Sequence, residues 1–504
     1  MTRSGLLAVL LFAAPAPASG SGQKPQALDI GDRLEPMVDD YLIDTMTGDV
    51  RLELQTPTSG GKALDFDEPW EGTTCFYVSL VHGDGLYRLY YRGHSDPSYA
   101  VPSLLEPGET MIPEHPEVTC YAESRDGRNW TKPSLGLVEF DGSKENNIIW
   151  DGFGNHNFMV FLDTNPKTPP GERYKALASG HPNRPLKRIV GMVSPDGIHW
   201  KPIREEPILT QPPTDWGGDG ILWDGYRNEY AAYLRVWHPP RHTGSGEQRM
   251  ATIRAIGRAT SPDFLNWSEL EDIDLGDGPR DHFYTNGITP YFRAPHIFLG
   301  FPKRFVPWRT QFADAPTYGA SDTVFMTSRD GLNWDRRFPQ SFIRPGREKR
   351  NWGNRTNGTA TGVVSTGDDE ISLYVIRHYM FPSIHMERMV LRTDGFVSLN
   401  AGYRGGEVLT KPLTFQGSNL VLNFATSAAG SIRIEIQDEA GRPLPGFALE
   451  ESPLVWGDEV EHTVRWKRSH SGATSDEPLK RISGKPVRLR LVMKDADLFS
   501  VSFR

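Results

Sequence analysis

Short apolar runs separated by turn residues dominate the hydrophobic pattern of the chain. Residues 86–92, 118–124, 230–236 and 371–377 are rich in β-branched and aromatic side chains, and Gly, Asp and Asn cluster at their ends. Such runs, bounded in this way, are typical of half-buried strands. The turn 82–85, His-Gly-Asp-Gly, further indicates a hairpin. The pattern therefore predicts an all-β protein.

A motif of the form Ser-x-Asp-Gly-x-x-Trp recurs along the chain and gives it a period. It first occupies residues 124–130, and a fainter fifth copy covers 392–396. The aspartates of successive copies are 70, 67, 67 and 64 residues apart. A four-stranded propeller blade with long loops fills such a period, whereas a single hairpin does not. Five copies predict a five-bladed β-propeller. Their aspartates are Asp126, Asp196, Asp263, Asp330 and Asp394.

Each repeat is interpreted as four antiparallel strands that run outward from the propeller axis. In the first blade they cover 74–81, 86–92, 118–124 and 130–140. The short turns after strands one and three then share one face, so the long connections between strands two and three lie on the other. Binding residues concentrate on long loops. The long connections are 95–117, 237–250, 305–321 and 379–387.

The repeated motif falls on the face of the short turns, in the turn after strand three. There the Asp can bond backbone N–H groups, the Gly can supply a positive φ and the Trp can wedge between sheets. The motif resembles the Asp-box of sialidases in residue types, and that box is a fold signature without an activity of its own. We therefore predict a structural role for the motif and place the functional site on the opposite face.

The two ends of the chain differ from the repeats. Residues 37–43 are predicted to close the ring as a strand, with a catalytic carboxylate as the alternative, and the propeller is assigned to 28–402. From 405 to 504, stretches of alternating apolar and polar residues predict a C-terminal β-sandwich. The alternating stretches are 420–424, 432–436, 487–491 and 499–503.

The composition is typical of a soluble globular protein, and the N-terminal segment predicts that the protein acts outside the cytoplasm. Of 504 residues, 38% are hydrophobic and 24% charged, and the net charge of -9 argues against binding to nucleic acid. Arg3, an apolar run over 6–14 and small residues at 16–18 predict a signal peptide over 1–18. We therefore expect a secreted or periplasmic protein. No later stretch approaches the roughly 18 apolar residues of a membrane span.

The chain has two cysteines, Cys75 and Cys120. They fall on the first and third strands of one blade, with another strand between them. Strands are spaced about 4.8 Å apart, which leaves two such residues too far apart for a disulfide. Two buried thiols are predicted.

Three acids stand where the innermost strands begin, close to the axis on the loop face. Glu71, Asp219 and Asp281 come from blades one, three and four. Two or three carboxylates around one pocket fit glycosidic bond cleavage, in which one protonates the leaving oxygen and another acts as base or nucleophile. Asp219 and Asp281 are predicted as the acid/base pair and Glu71 as a third carboxylate or nucleophile. Each could instead bond a neighbouring arginine or backbone group.

Basic and aromatic residues are predicted to bind the substrate at the same face. Many donors in an acidic protein suggest an anionic group in the ligand, such as sulfate or carboxylate. Salt bridges to the pore acids are the alternative. No clustered ligand pattern supports a dedicated metal site, and no cofactor is predicted; a structural Ca²⁺ in the pore is kept as an alternative. The predicted binding residues are Arg92, His156, Arg235, Trp237, His238, His282, Lys303, Arg355 and His378.

These repeats, pore acids and trailing sandwich resemble the five-bladed glycoside hydrolases, notably family 32 and its relatives in families 43, 68 and 117. The resemblance covers the whole mature chain in architecture and is most evident with bacterial proteins described as family-32-like. Segments 38–43, 70–72, 120–124 and 494–500 are similar to theirs. Family 32 carries Asn-Asp-Pro, Arg-Asp-Pro and Glu-Cys motifs that are not found in register here. Residues 280–282, Arg-Asp-His, are only similar to the second. Specificity for fructose is therefore not implied.

The sequence thus predicts a secreted glycoside hydrolase that acts on a poly- or oligosaccharide, with an anionic, sulfated or uronic, substrate suggested by the basic residues. A glycoside phosphorylase, in which one carboxylate acts and basic residues hold phosphate, is the second possibility. A carbohydrate-binding propeller without catalysis is the third.

Overall fold

A computed structural model of the protein describes residues 26–179, 189–210, 218–238, 253–466 and 477–504, without the side chains of Asp219, Glu477 and Pro478. The predicted signal peptide at 1–18 lies outside these residues. Strands are the main regular structure of the described chain and helices are few and short, which confirms the all-β prediction. Its helical turns are four 3₁₀ helices, Pro97–Tyr99, Pro102–Leu104, Pro170–Glu172 and Lys349–Trp352, and the short α1, Glu477–Lys480.

The described chain has 31 strands, numbered in chain order as a first series, β1 to β16, and a second series, β17 to β31. The first series is β1 (Leu28–Gly31), β2 (Glu35–Pro36), β3 (Ile43–Leu54), β4 (Thr58–Asp65), β5 (Phe76–Gly83), β6 (Leu86–Gly93), β7 (Val118–Ser124), β8 (Ile148–Trp150), β9 (Asn157–Leu162), β10 (Tyr174–Ser179), β11 (Ile189–Ser194), β12 (Lys201–Pro202), β13 (Gly218–Asp224), β14 (Glu229–His238), β15 (Ile253–Ser261) and β16 (Glu271–Asp272). The second is β17 (His282–Phe283), β18 (Thr289–Tyr291), β19 (Ala294–Gly300), β20 (Lys303–Val306), β21 (Ala320–Thr323), β22 (Met326–Ser328), β23 (Trp334–Asp335), β24 (Val364–Ser365), β25 (Glu370–Arg377), β26 (His385–Arg392), β27 (Val397–Thr410), β28 (Leu413–Phe415), β29 (Leu420–Gln437), β30 (Asp458–Thr463) and β31 (Arg488–Phe503).

Five antiparallel sheets follow one another along the chain. The first sheet is β5-β6-β7-β8, the third is β13-β14-β15-β16, the fourth is β18-β19-β22-β23 and the fifth is β24-β25-β26-β4. The second sheet is β10-β11-β12, with β9 in contact with β10. The small sheet β17-β20-β21 lies beside the fourth. Strands two of the first, third and fifth sheets lie where the apolar runs predict them, within a few residues at each end.

The five sheets pack on one another in cyclic order through shared apolar clusters. Each cluster draws buried residues from two neighbouring sheets, and one of them joins the fifth sheet to the first. Representative pairs are Tyr90 with Ala176, Leu177 with Ala232, Ala231 with Phe298, Leu299 with Leu373 and Tyr374 with Leu89. Burial of these faces at about 25 cal/mol per Å² is the main force that holds neighbouring sheets together.

The last strand of the fifth sheet comes from the N-terminal part of the chain. β4 pairs with β26 through His385↔Asp65 and Met386↔Leu64, so chain from before the first sheet completes the fifth. The prediction that residues 37–43 close the ring is therefore wrong in position, because Ile43 opens β3 instead. β4 was missed because it is an outer strand with mostly exposed side chains, which carries no apolar signature.

The fourth strand of the first sheet also lies outside its predicted place. It is β8, whereas the predicted segment 130–140 carries only isolated bridges at Thr131 and Phe140. Pro133 has no N–H for a ladder, and Gly136 adopts a φ of 69°, so this segment is poorly suited to a strand. The cysteine prediction is confirmed: Cys75 and Cys120 are free and buried. Burial raises the pKa of the Cys75 thiol to about 12.

The C-terminal residues form a sheet of long strands together with N-terminal chain. Its order is β3-β27-β31-β29-β30, with β2 also on β31, and β1 pairs with β28. The four short strands predicted here are two long ones, β29 and β31, whose register shifts at bulges. β27 crosses the predicted boundary at 402–405. A separate sandwich over 405–504 stays a prediction.

The repeated motif makes the turn hydrogen bonds that its structural role requires. Asp126 Oδ1 accepts the backbone N–H groups of Arg128 and Asn129, both at 2.8 Å, and the next three copies repeat this pair. Phe264 takes the glycine position of the third copy and keeps a φ of 67°. The predicted bracing role is confirmed for these four turns.

The aspartate of the fifth copy, Asp394, has a different structural role. Asp394 is fully buried and accepts hydrogen bonds from the Tyr291 hydroxyl at 2.6 Å, the Ser500 hydroxyl at 2.7 Å and Arg293 Nε at 3.0 Å. Tyr291 and Arg293 belong to the fourth sheet and its hairpin, and Ser500 belongs to β31. This carboxylate therefore fastens the ring of sheets to the C-terminal sheet.

Gly331→Ala tests how tightly a motif turn is packed. Gly331 has a φ of 75°, and a Cβ there would lie 2.5 Å from the Tyr233 hydroxyl oxygen of the third sheet. Gly346→Ala is the matched control, because its φ is 76° and no atom lies within 4 Å of its Cβ position. The control should lose about 1–2 kcal/mol for the left-handed conformation, and Gly331→Ala about 2–4 kcal/mol because overpacking adds to it. Urea denaturation measures both, and equal losses would contradict tight packing of the turn.

Candidate active site

Tyr284 marks the place where side chains from several sheets converge. It directly follows β17, whose pairing with β20 extends to a hydrogen bond from Tyr284 N to the Lys303 carbonyl at 2.9 Å. The Tyr284 carbonyl in turn accepts Arg235 Nε, also at 2.9 Å. Backbone on both sides of the residue is thus fixed by the fourth and third sheets, and this fixes the direction of its ring.

Four cationic groups surround the ring of Tyr284. Lys303 Nζ lies 4.0 Å from the ring centroid and the Arg235 guanidinium carbon 4.2 Å. Arg254 and Arg355 lie at 5.3 Å and 5.7 Å. Each distance is within the roughly 6 Å at which a cation is attracted to an aromatic face. The four cations belong to β14, β15, β20 and the segment before β24.

Tyr77 faces Tyr284 from the first sheet. The two hydroxyl oxygens lie 3.4 Å apart. Tyr77 has a φ of 52° and stands at a register shift between β5 and β6, where a bulge re-aims a side chain. The guanidinium of Arg92, which lies on β6, is 5.2 Å from the Tyr77 ring centroid and adds a fifth cation to the group.

Glu117 is the carboxylate that joins this group from the end of the long connection before β7. Its Oε1 accepts Arg92 Nη1 at 3.1 Å and contacts His156 Nδ1 at 2.8 Å. Burial alone would raise the pKa of Glu117, but Arg92 and His156 outweigh it and lower this pKa to about 2. Burial lowers the pKa of His156. Glu117 is therefore ionised at neutral pH and acts as a fixed negative charge.

The phenol of Tyr284 has unusual acidity because of this environment. Burial by itself would raise its pKa, but the positive charges of Arg355 and Arg235 outweigh burial and lower the pKa to about 8. Burial and the neighbouring Tyr284 raise the pKa of Tyr77. Tyr284 is therefore the phenol of the pair that ionises more readily.

The three predicted acids are not drawn together by any hydrogen bond or ion pair among the described side chains. Glu71 has no exposed surface and is held by Lys132 Nζ at 2.7 Å and by the Tyr91 hydroxyl at 2.5 Å. Asp281 pairs with Arg336 at 2.7 Å and keeps 22% of its side chain exposed. Asp219 lies on the inner strand β13, and its side chain is outside the described set.

The predicted binding residues divide into two groups. Arg92, His156, Arg235, Lys303 and Arg355 all belong to the cluster around the two tyrosines. The Trp237 ring borders the cluster through Arg254, whose guanidinium lies 4.3 Å from it. His238 contacts Asp272 at 2.8 Å, His282 Nδ1 accepts the Arg254 backbone N–H at 3.4 Å, and His378 Nδ1 lies 2.9 Å from the Ser383 hydroxyl. Burial lowers the pKa of both His282 and His378 to about 4.

Sequence reasoning missed Tyr77, Glu117, Arg254 and Tyr284. Glu117 and Arg254 stand at or just before the starts of third strands, immediately after long connections. Since the end of strand two pairs with the start of strand three, as in Gly93↔Val118 and Trp237↔Arg254, these positions reach the same face. Their places beside the ends of strand two are therefore a signal that the sequence contains. The two tyrosines carry no such signal, because tyrosine is common throughout the strands of this chain.

Metal-ligand groups and membrane-spanning helices are both absent from the part of the chain that the structure describes. In the described ranges no group of three or more His, Cys, Asp and Glu side chains is arranged to hold a metal ion. Among the same residues, no helix has the length and apolar character needed to cross a membrane. The pore Ca²⁺ that was kept as an alternative thus finds no His, Cys, Asp or Glu ligand set among the described side chains.

Comparison with known proteins gives structural neighbours and no sequence relatives. No protein-family profile matches the chain, and no curated protein matches it. A solved structure described as a glycoside hydrolase is 12% identical, with 67% of this chain and 92% of that chain covered and a TM-score of 0.45. A β-fructofuranosidase of glycoside hydrolase family 32 from Bombyx mori is 9% identical, with 88% and 94% covered and a TM-score of 0.41.

A third neighbour is a protein from a study of glycoside hydrolase family 130, described as a family of mannoside phosphorylases that contains hydrolases of β-1,2-mannosidic linkages in Candida mannan. It is 12% identical, covers 70% of this chain and 96% of its own, and has a TM-score of 0.37. These neighbours have glycoside-hydrolase-like propeller folds, and the predicted resemblance to that group is confirmed. The highest of the three TM-scores is 0.45.

Glu117→Gln tests whether the cluster depends on this fixed negative charge. A carboxylate whose pKa is lowered on folding stabilises the protein above its unfolded pKa of about 4.3 and loses that contribution as the pH falls through its folded value. We expect the free energy of unfolding of the variant to be about 2–4 kcal/mol lower at pH 7, because Arg92 and His156 lose their charged partner. Its stability should also fall less steeply than that of the wild type between pH 4 and about 2. Urea denaturation over this pH range measures it. The exposed Glu114→Gln is the control, and matching losses in the two variants would contradict this role.

Proposed function

We propose that the protein is a carbohydrate-active enzyme that hydrolyses glycosidic bonds in an anionic oligo- or polysaccharide. The five sheets would form a five-bladed propeller, with the catalytic pocket at its axis around Tyr77 and Tyr284. The signal peptide predicted over 1–18 completes the proposal, because it would place the enzyme outside the cytoplasm, where polysaccharides are met.

The observation that carries the proposal is the convergence of cationic side chains on the two tyrosines. Arg92, Arg235, Arg254, Lys303 and Arg355 reach the rings of Tyr77 and Tyr284. Among the described side chains, the Glu117 carboxylate accepts a hydrogen bond from one of these cations, Arg92, at 3.1 Å. Arginine forks suit carboxylate and sulfate groups, and aromatic rings suit the apolar faces of sugars. A sugar that bears a negative charge meets both requirements.

Asp219 and Asp281 remain our proposed acid/base pair. Asp219 lies on the inner strand β13, and Asp281 directly precedes β17 and keeps part of its carboxylate exposed beside Arg336. For Glu71 the surroundings favour a structural task, since its carboxylate is fully buried and satisfied by Lys132 and Tyr91. We therefore assign the chemistry to the two aspartates and not to Glu71.

Phosphorolysis is the second candidate, and the same cationic cluster favours it. Five cations around one pocket could hold inorganic phosphate as well as a charged sugar. The two reactions differ in one measurable requirement. Cleavage that needs added phosphate and releases a sugar phosphate would replace hydrolysis as the function.

A panel of charged and neutral glycans tests the proposed function. We expect the purified protein to release reducing ends from uronic or sulfated glycans in phosphate-free buffer. Loss of Asp219 and Asp281 together, as Asn, should reduce the rate by about 10²–10⁴-fold or more, the usual contribution of general acid–base catalysis. Release that survives the double substitution, or release from no member of the panel, would contradict the proposal.

Arg355→Gln tests whether the cationic cluster binds the anionic group. Losing one charge-assisted hydrogen bond of about 1.5–3 kcal/mol should raise KM for a charged glycan by about 10–100-fold. KM for the same glycan with its charge removed should change little. Arg347→Gln, at an exposed position nearby in sequence, is the control. An equal rise in KM for the charged and uncharged glycans would contradict binding of the anion by Arg355.

A further inference from the structure

The geometry points to Tyr284 as the catalytic base: its phenolate Oη takes the proton from the water that attacks the anomeric carbon. This inference rests on the proposed hydrolytic function and revises one role in it: Tyr284 acts as the base in place of Asp281, whose carboxylate is held by Arg336 at 2.7 Å, and Asp219 stays the acid. Three observations support it: the position of the ring at the centre of the cluster, the cations that surround it and the neutral phenol that faces it.

The cations supply the physical reason for a phenolate. With Lys303 Nζ at 4.0 Å and Arg235 at 4.2 Å from the ring centroid, a negative charge on Oη is favoured in a site that is largely removed from water. The Tyr77 hydroxyl, 3.4 Å from the Tyr284 oxygen, is placed to donate to it. A base whose pKa lies near the working pH combines the right charge state with a strong drive for proton transfer.

Other described groups around the site suit the role less well. The Glu117 carboxylate is engaged by Arg92 and His156, and its lowered pKa makes it a poor proton acceptor. Glu71 has no exposed surface. Burial and the neighbouring Tyr284 keep the phenol of Tyr77 protonated. Tyr284 therefore combines a basic form near neutral pH with a central position.

All titratable or charged groups that face the phenol bear on its ionisation. On its own segment Asp281 and His282 stand shortly before it, and Asp281 pairs with Arg336. Glu117 and His156 lie within hydrogen-bond distance of Arg92. Glu117 adds a negative charge, and His156 adds a neutral ring. The groups on the facing elements are Tyr77 on β5, Arg92 on β6, Arg235 on β14, Arg254 on β15, Lys303 on β20, Arg355 before β24 and Tyr379 after β25.

The step balances with the proposed acid. Water oxygen forms a bond to the anomeric carbon as its proton passes to Tyr284 Oη. The bond from that carbon to the leaving oxygen breaks, its electron pair stays on the oxygen, and the oxygen takes the proton of Asp219. Tyr284 then returns its proton to solvent and Asp219 regains one, so the enzyme ends in its starting state. One water is consumed for each bond cleaved.

A spectroscopic titration tests the phenol without any substrate. The chain has 17 tyrosines, and an ordinary tyrosine ionises with a pKa of about 10. We expect the ultraviolet absorbance of the wild type to show one phenolate appearing at a pH of about 8, and Tyr284→Phe to lack it. Tyr226→Phe, at a residue with 54% exposure, should keep it. A wild type without the step, or a step that survives in Tyr284→Phe, would overturn the inference.

Kinetics on a cleaved glycan test the role in catalysis. Tyr284→Phe should lower kcat by about 10²–10⁴-fold, the range for loss of a general base, and should abolish the rise in kcat/KM toward pH 8. Arg355→Gln, which removes a positive charge from the ring, should move that rise to higher pH. If no glycan is cleaved at all, the proposed function fails and this role with it. If cleavage is found and Tyr284→Phe keeps the wild-type kcat and pH profile, only the inference about Tyr284 is overturned.

Discussion

The pairing of β4 with β26 holds together the two ends of the series of sheets. Without it the fifth sheet would present an unpaired edge, and the N-terminal strand would have no partner. The apolar cluster between the fifth and first sheets completes the same closure, since Tyr374, Ile376 and Leu89 share it. The cluster at the centre depends on this closure, because its members come from sheets at both ends of the series. Tyr77 belongs to the first sheet, and Arg355 precedes the fifth.

Within the closed series of sheets, charged side chains have two different roles. The motif turns fix their aspartates with backbone N–H groups, and Glu71 and Asp394 are buried with full sets of partners. These acids stabilise the fold. Around Tyr284, by contrast, positive charge collects with Glu117 as a fixed counter-charge. Cationic side chains therefore gather locally in a protein whose net charge is -9, which net charge alone would not indicate.

Local patterns predicted the strands well where one face was buried. Strand β7 has the predicted bounds, 118–124, and β25 begins one residue before its predicted start. The outer strand β4 was not found, because its exposed side chains give no alternation. The two long C-terminal strands were broken into four in the prediction, because bulges interrupt their alternation near Phe424 and Ser431. Periodicity therefore reports burial, and it fails at edges and bulges.

The candidate site was predicted in part for a related reason. Arg92, His156, Arg235, Lys303 and Arg355 were expected at strand ends on the loop face, and the structure gathers all five. The central tyrosines could not be found in this way, because tyrosine is common throughout the cores of the sheets. Only the positions of the surrounding cations distinguish Tyr284 from Tyr90 or Tyr374. That information is three-dimensional, since the cations come from segments far apart in sequence.

The central claim is that the pocket around Tyr284 selects an anionic sugar by its charge. Calorimetric binding of an oligosaccharide with a uronic carboxylate, compared with the same sugar after reduction of that carboxylate to an alcohol, tests the claim most directly. The account predicts at least ~10-fold tighter binding of the acid at low salt, as one charge-assisted hydrogen bond would give, and a smaller advantage at high salt. Equal affinity for the two sugars at every salt concentration would contradict it.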